Sequence, residues 1–127
     1  MKVLLVDDSR TARMQLKTAL GESGWEVTEA DSGAEALTIL NSTNKFDVMV
    51  TDQNMPEISG TDMVTCLRGT ANCINKDVKT IFLTSDSSGS LRKTASNLGA
   101  SAFVLKPVNI AAFMRIIKKV LAEDEDE

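Results

Sequence analysis

The chain has 127 residues, 43% hydrophobic and 25% charged, which suits one compact domain with a real core and leaves no room for a second folded unit. Its net charge of −4 gathers in five consecutive acids, Glu123 to Glu127; the rest holds 14 Lys and Arg against 13 Asp and Glu, too even a balance for the basic face that nonspecific nucleic-acid binding requires. There is no histidine, which removes imidazole general bases, zinc–histidine centres and internal phosphohistidine carriers together. Asp7 and Asp8 interrupt the early apolar run, so no signal peptide and no membrane span are expected and the cytoplasm is the default location. Cys66 and Cys73 form no CxxC pair and read as free reduced thiols.

Short apolar runs alternate with helix-period segments, five of each, the pattern of an α/β domain with a doubly wound parallel sheet. The first strand is expected at Lys2 to Val6, where Val3-Leu4-Leu5-Val6 has no polar alternation and so suits burial on both faces. A helix follows with Ala12, Leu16, Ala19 and Leu20 on one stripe, ended by Gly21 and Gly24. The second strand, Trp25 to Ala30, alternates apolar and polar residues and suits a sheet edge; Trp25 opens it, at the end of the sheet away from the strands' carboxyl ends. Ser32-Gly33-Ala34-Glu35 is a capping-box pattern ahead of Ala36, Leu37 and Leu40.

The third and fourth strands, Phe46 to Thr51 and Val78 to Leu83, carry the continuous runs Val48-Met49-Val50 and Ile81-Phe82-Leu83 and belong in the middle of the sheet. Met55-Pro56 and Gly60 shape the turn after Asp52. The fourth helix presents Leu91, Ala95 and Leu98 before Gly99, and the fifth strand is Ala102 to Leu105. The last helix turns Ile110, Phe113, Ile117 and Leu121 inward and frays near Ala122, because acids there oppose the helix dipole that Lys118 and Lys119 suit. The domain is therefore read as residues 1–122, with 123–127 as an acidic disordered tail. The methionines, Phe46, Phe82 and Phe113 are read as core.

Four strands end in polar residues able to handle phosphate or metal: Asp7-Asp8, Asp52, Thr84 and Lys106. In an open parallel sheet with right-handed crossovers, ligands bind outside the carboxyl ends of the strands where the strand order reverses, so these residues should share one pocket. Singly, each has a plainer reading: Asp7-Asp8 as a helix N-cap, Asp52 as a loop acid, Thr84 as a strand-end hydroxyl and Lys106 as a surface lysine before Pro107. Their joint placement argues against four coincidences. Three carboxylates there would repel by about 4 kcal/mol per pair at about 4 Å and an effective dielectric near 20. A hard divalent cation, Mg²⁺ or Mn²⁺, would offset this, with Asp8 and Asp52 as direct ligands, Asp7 direct or through water, and the backbone carbonyl of Asn54 completing the set. Asp52 would then be the nucleophile toward phosphorus. Lys106 would take one phosphoryl oxygen, and the Thr84 hydroxyl with the N–H groups of Asn54 and Ser85 another.

The acidic pair in VDDS, the block TDQNMPEISG, the LTSD turn and the VLKP segment resemble the receiver domain of two-component response regulators over essentially the whole chain. The resemblance implies a flavodoxin-like sheet of order 2-1-3-4-5, an order taken from the family and not from the spacing. It implies Asp7, Asp8 and Asp52 as the acidic site, Asp52 as phosphoacceptor, Thr84 and Lys106 as switch residues, and Phe103 as the aromatic that repacks when Thr84 moves. It also implies a sensor histidine kinase as phosphodonor, with small acyl phosphates as substitutes, and an output partner on the face formed by the fourth helix, fifth strand and fifth helix. The single-domain length, with Asn54 and Asp86 as lifetime-tuning residues, is similar to the stand-alone, CheY-like chemotaxis type, whose output is the flagellar motor switch; a monomer is expected.

Gln53, Phe103, Ser85 and Val108 depart from that type, which has tryptophan, tyrosine, commonly alanine and frequently an aromatic there. A phosphorelay intermediate or a phosphate sink stays open as an alternative biological role. A haloacid-dehalogenase-like phosphohydrolase would need an acid two residues after the nucleophile, where Asn54 stands. A flavin module would need a glycine-bearing first loop and stacking aromatics; the loop after the first strand has no glycine and the chain no tyrosine. An inactive scaffold fits poorly with a complete site.

Overall fold

The computed structural model describes residues 1–122, so the expected acidic tail and the fraying toward it lie outside the described residues. Strands and helices alternate strictly: β1 (Lys2–Val6), α1 (Arg10–Glu22), β2 (Glu26–Ala30), α2 (Gly33–Leu40), β3 (Val48–Asp52), α3 (Gly60–Arg68), β4 (Lys79–Thr84), α4 (Gly89–Asn97), β5 (Ala102–Leu105) and α5 (Ile110–Ala122). All strand pairs are parallel, in the order β2-β1-β3-β4-β5. The continuous apolar runs occupy β1, β3 and β4 in the middle, and the alternating β2 lies at the edge. Among the described residues no helix is long and apolar enough to cross a membrane.

Alternation along each strand divides the core in two. Val3, Leu5, Val48, Val50, Ile81 and Leu83 face α1 and α5, whereas Leu4, Val6, Met49 and Phe82 face α2, α3 and α4. The strand order reverses between β1 and β3, and the crevice at that switch is where Asp7 and Asp52 emerge.

Several boundaries differ from the sequence expectation, three of them because a backbone N–H is committed elsewhere. Trp25 precedes β2, since its N–H donates to the Leu20 carbonyl in the turn that closes α1. Gly21 lies inside α1; Gly24, at φ +81°, ends it in a left-handed turn, and Gly99 does the same after α4. Phe46 stays out of β3 because its N–H donates to Asn75 Oδ1, and Val78 stays out of β4 because its N–H closes a turn on the Asn75 carbonyl. At their far ends both strands run one residue longer than expected, so Asp52 and Thr84 are in register with Leu83 and Leu105. Met49 and Met63 are fully buried, but Met1 and Met14 are exposed, correcting their assignment to the core; Met14 faces away from the Leu16–Leu20 stripe.

Candidate functional site at the carboxyl ends of the strands

Each loop that leaves the sheet on the site side carries its own helix cap. Ser9, Ser32, Ser59 and Ser88 accept from the N–H of Ala12, Glu35, Asp62 and Leu91, and Asn109 Oδ1 accepts from Ala112. In the expected capping box, Glu35 reaches back to the N–H of Asp31, one residue before the cap. Ser9 decides the fate of the acidic pair: with the α1 cap supplied by a serine, Asp7 and Asp8 are left for other work. Asp7 Oδ1 accepts from the Ser9 N–H at 2.8 Å, and its Oδ2 is buried with no hydrogen-bond partner.

Asp7, Asp8 and Asp52 offer one carboxylate oxygen each within 4.8 Å of one another. Asp7 and Asp52 are 1% and 4% exposed, whereas Asp8 is open to solvent. Burial holds the Asp7 carboxyl above its ordinary range, with Asp52 and Asp8 adding to the effect and the Ser9 bond and Lys106 opposing it. Lys106 Nζ stands 3.1 Å from Asp52 Oδ2 and 3.8 Å from Asp7 Oδ2. Its backbone N–H donates to the Thr84 carbonyl, and the Lys106–Pro107 peptide bond is cis. Three carboxylates, one of them with a buried oxygen that has no hydrogen-bond partner, fit a hard divalent cation, which this cluster could hold beside the Lys106 ammonium.

Thr84 is fully buried, and its Oγ1 accepts from the Asp86 N–H at 3.0 Å. Asn54 and Asp86 are both exposed, and Asp86 Oδ1 accepts from the Ser88 N–H at 2.8 Å. Phe103 packs, half-buried, against the core on the α2–α4 face.

Several residues that shape the site were not singled out as such from the sequence. Gln53 joins its own loop to α3, its Oε1 accepting from the Thr61 N–H at 2.9 Å and its Nε2 donating to Thr61 Oγ1 at 3.0 Å. A methyl group on Gly60 would lie 2.5 Å from the Asp52 backbone oxygen, so α3 approaches the acceptor this closely only because residue 60 is glycine. Arg13 donates to the Asp7 carbonyl and pairs with Glu29 Oε1 at 3.3 Å. The serine caps had a readable signal, a small hydroxyl residue just before each helical pattern; the Gln53 and Arg13 contacts had none. Between α1 and α5 a groove of about 240 Å³ opens beside Asp7 and Lys106 and extends to Gln15 and Ile110.

A family model for the response regulator receiver domain matches residues 3–118. The chain is 32% identical over 126 residues to the chemotaxis protein CheY1 of Helicobacter pylori, covering 98% of this chain and 100% of that one. It is 34% identical over 121 residues to the chemotaxis protein CheY of Pseudomonas aeruginosa, covering 94% and 95%. Among solved structures, the chemotaxis response regulator CheY4 of Vibrio cholerae superposes with a TM-score of 0.84 at 31% identity, covering 94% of this chain and 97% of that one.

Proposed function

The chain belongs to the response regulator receiver domain family, and from that premise we propose that it is a cytoplasmic phospho-acceptor in which Asp52 takes a phosphoryl group from a sensor histidine kinase. The observation that carries this reading is Asp52 itself: a buried carboxylate at the end of a central strand, clustered with two further carboxylates and 3.1 Å from Lys106.

In the transfer, an Asp52 carboxylate oxygen forms a bond to phosphorus while the phosphorus–nitrogen bond of the donor breaks and its electron pair leaves with the imidazole. From a small acyl phosphate the bond broken is phosphorus–oxygen and the leaving group a carboxylate. Lys106 neutralises charge on one phosphoryl oxygen, and the Thr84 hydroxyl donates to another. Asp7, Asp8 and Asp52, with the Asn54 carbonyl, would hold Mg²⁺ or Mn²⁺. When bound, the cation supplies positive charge against the phosphoryl oxygens. The chain promotes only its own phosphorylation and dephosphorylation, with no turnover of another substrate. Asn54 and Asp86, both exposed beside the site, set how long the acyl phosphate lasts.

Movement of Thr84 toward the phosphoryl group and repacking of Phe103 would change the face formed by α4, β5 and α5, where the output protein docks. The near full-length similarity to chemotaxis proteins supports a chemotactic role, with a flagellar motor switch as that partner.

The test is incubation with acetyl phosphate, with Mg²⁺ or with EDTA, beside Asp52→Asn, followed by intact mass. A phosphoryl adduct that requires both the metal and Asp52 is expected. No adduct under any condition would leave the chain as a scaffold.

A further inference from the structure

Phe103 and Phe82 are register partners on β5 and β4, and the Phe103 ring lies half-buried against the α2–α4 side of the core. Above that ring stands the guanidinium of Arg92, 5.2 Å from the centroid. Arg92 is an exposed residue near the start of α4, so its side chain spans from helix to strand over the ring's outer side.

The same end of α4 is tied back to Thr84 by consecutive hydrogen bonds. The Asp86 N–H donates to Thr84 Oγ1 at 3.0 Å, and the Ser88 N–H donates to Asp86 Oδ1 at 2.8 Å. The Arg92 N–H then donates to the Ser88 carbonyl at 3.3 Å. Thr84 is thus joined to the Phe103 ring through the cap and first turns of α4, in addition to any direct packing between β4 and β5.

We infer that Arg92 is a positioning residue for the switch, its guanidinium holding the Phe103 ring in the resting arrangement and joining it to the hydrogen-bonded path that begins at Thr84. The inference rests on the phospho-acceptor reading and adds to it the side chain that sets how readily the switch moves. A shift of the Thr84 hydroxyl toward Asp52 alters its bond with the Asp86 N–H, and through Ser88 the placement of the first turns of α4. The ring leaves its position only as Arg92 leaves its face. A group bound at Asp52 must therefore favour the moved arrangement by more than this contact favours the resting one, and weakening the contact strengthens binding at Asp52. The attraction is electrostatic, so a lysine preserves part of it and a methionine of similar reach does not.

The experiment uses beryllium trifluoride, a tetrahedral phosphoryl mimic, with Mg²⁺, titrated by calorimetry into the wild type, Arg92→Met and Arg92→Lys. In parallel, fluorine NMR follows Phe103 in para-fluorophenylalanine-labelled protein, its resonance assigned with Phe103→Leu. Arg92→Met is expected to bind the mimic about two- to five-fold more tightly, and Arg92→Lys within about two-fold of wild type. The unliganded Phe103 resonance of Arg92→Met is expected to move toward its position in the wild-type complex. Equal or weaker binding by Arg92→Met overturns the inference while leaving the acceptor reading intact. Failure of the wild type to bind the mimic counts against the acceptor reading, and an unliganded Phe103 resonance indifferent to Arg92→Met then overturns the positioning role separately.

Discussion

Lys106 holds its ammonium 3.1 Å from Asp52 Oδ2, inside the same cluster of carboxylates that would bind a divalent cation. The lysine and such a cation would therefore compete for the same negative charge, while in the proposed transfer both would serve the phosphoryl group. Lys106→Met should bind Mg²⁺ more tightly, by about tenfold or more given the Coulomb energies at this range. It should form the acetyl phosphate adduct more slowly, by about a hundredfold, because a charged donor to the phosphoryl oxygens is gone. Calorimetry and time-resolved intact mass give the two numbers, and a loss of both functions together would contradict the division of labour.

Asp7, buried as a carboxylate, should cost the metal-free protein stability at neutral pH. Its carboxyl titrates above the ordinary range, chiefly through burial, so the folded state binds more protons than the unfolded state between the two values. Stability contributed by protonated Asp7 is thus present in acid and lost as pH rises through the raised value. Asp7→Asn should stabilise the metal-free protein at neutral pH by about 1 to 3 kcal/mol, the range for relieving a buried group without its partner. The advantage should shrink in mildly acidic buffer, and Mg²⁺ should raise the melting temperature of the wild type more than that of the variant.

Gly60 is expected to be intolerant of a methyl group, because the obstacle 2.5 Å away is the Asp52 backbone oxygen and not a movable side chain. Gly60→Ala should lose about 1 to 3 kcal/mol in a denaturant melt, and adduct formation should slow as the acceptor shifts. Gly69→Ala is the control: its added methyl would meet backbone oxygens at 3.6 and 3.7 Å, an ordinary contact, and a change within about 0.5 kcal/mol is expected.

Asn75 closes the opposite end of the sheet. It is 1% exposed; its Oδ1 accepts from Phe46, and its Nδ2 donates to the carbonyls of Leu40 and Asn44. Asn75→Ala leaves the buried Phe46 N–H without its partner and removes the amide's bonds to the Leu40 and Asn44 carbonyls, and should destabilise the fold by about 2 to 4 kcal/mol. Because the clamp lies away from Asp52, the phosphorylation rate below the melting transition should stay close to wild type. A parallel fall in rate would show that the two ends of the sheet are coupled.

Hydrophobic period and strand-end polarity are local properties, and the sequence alone determined what depends on them: five strands and five helices, central β1, β3 and β4, an edge β2, and the strand-end placement of Asp7, Asp8, Asp52, Thr84 and Lys106, of which the structure draws Asp7, Asp8, Asp52 and Lys106 into one cluster. Burial on both faces demands unbroken apolar runs such as Val3-Leu4-Leu5-Val6, so the layers can be read directly. Tertiary structure alone decided where each donor and acceptor goes. The Trp25 N–H turns to Leu20 and the Phe46 N–H to Asn75, Asp7 Oδ2 is left without a hydrogen-bond partner, and Met14 points to solvent. The same holds for Gln53 on Thr61, Arg13 between Asp7 and Glu29, and Arg92 over Phe103. Such pairings join different elements, and no periodicity encodes them; they follow from which groups the packed sheet and helices bring within hydrogen-bond or ring-contact distance.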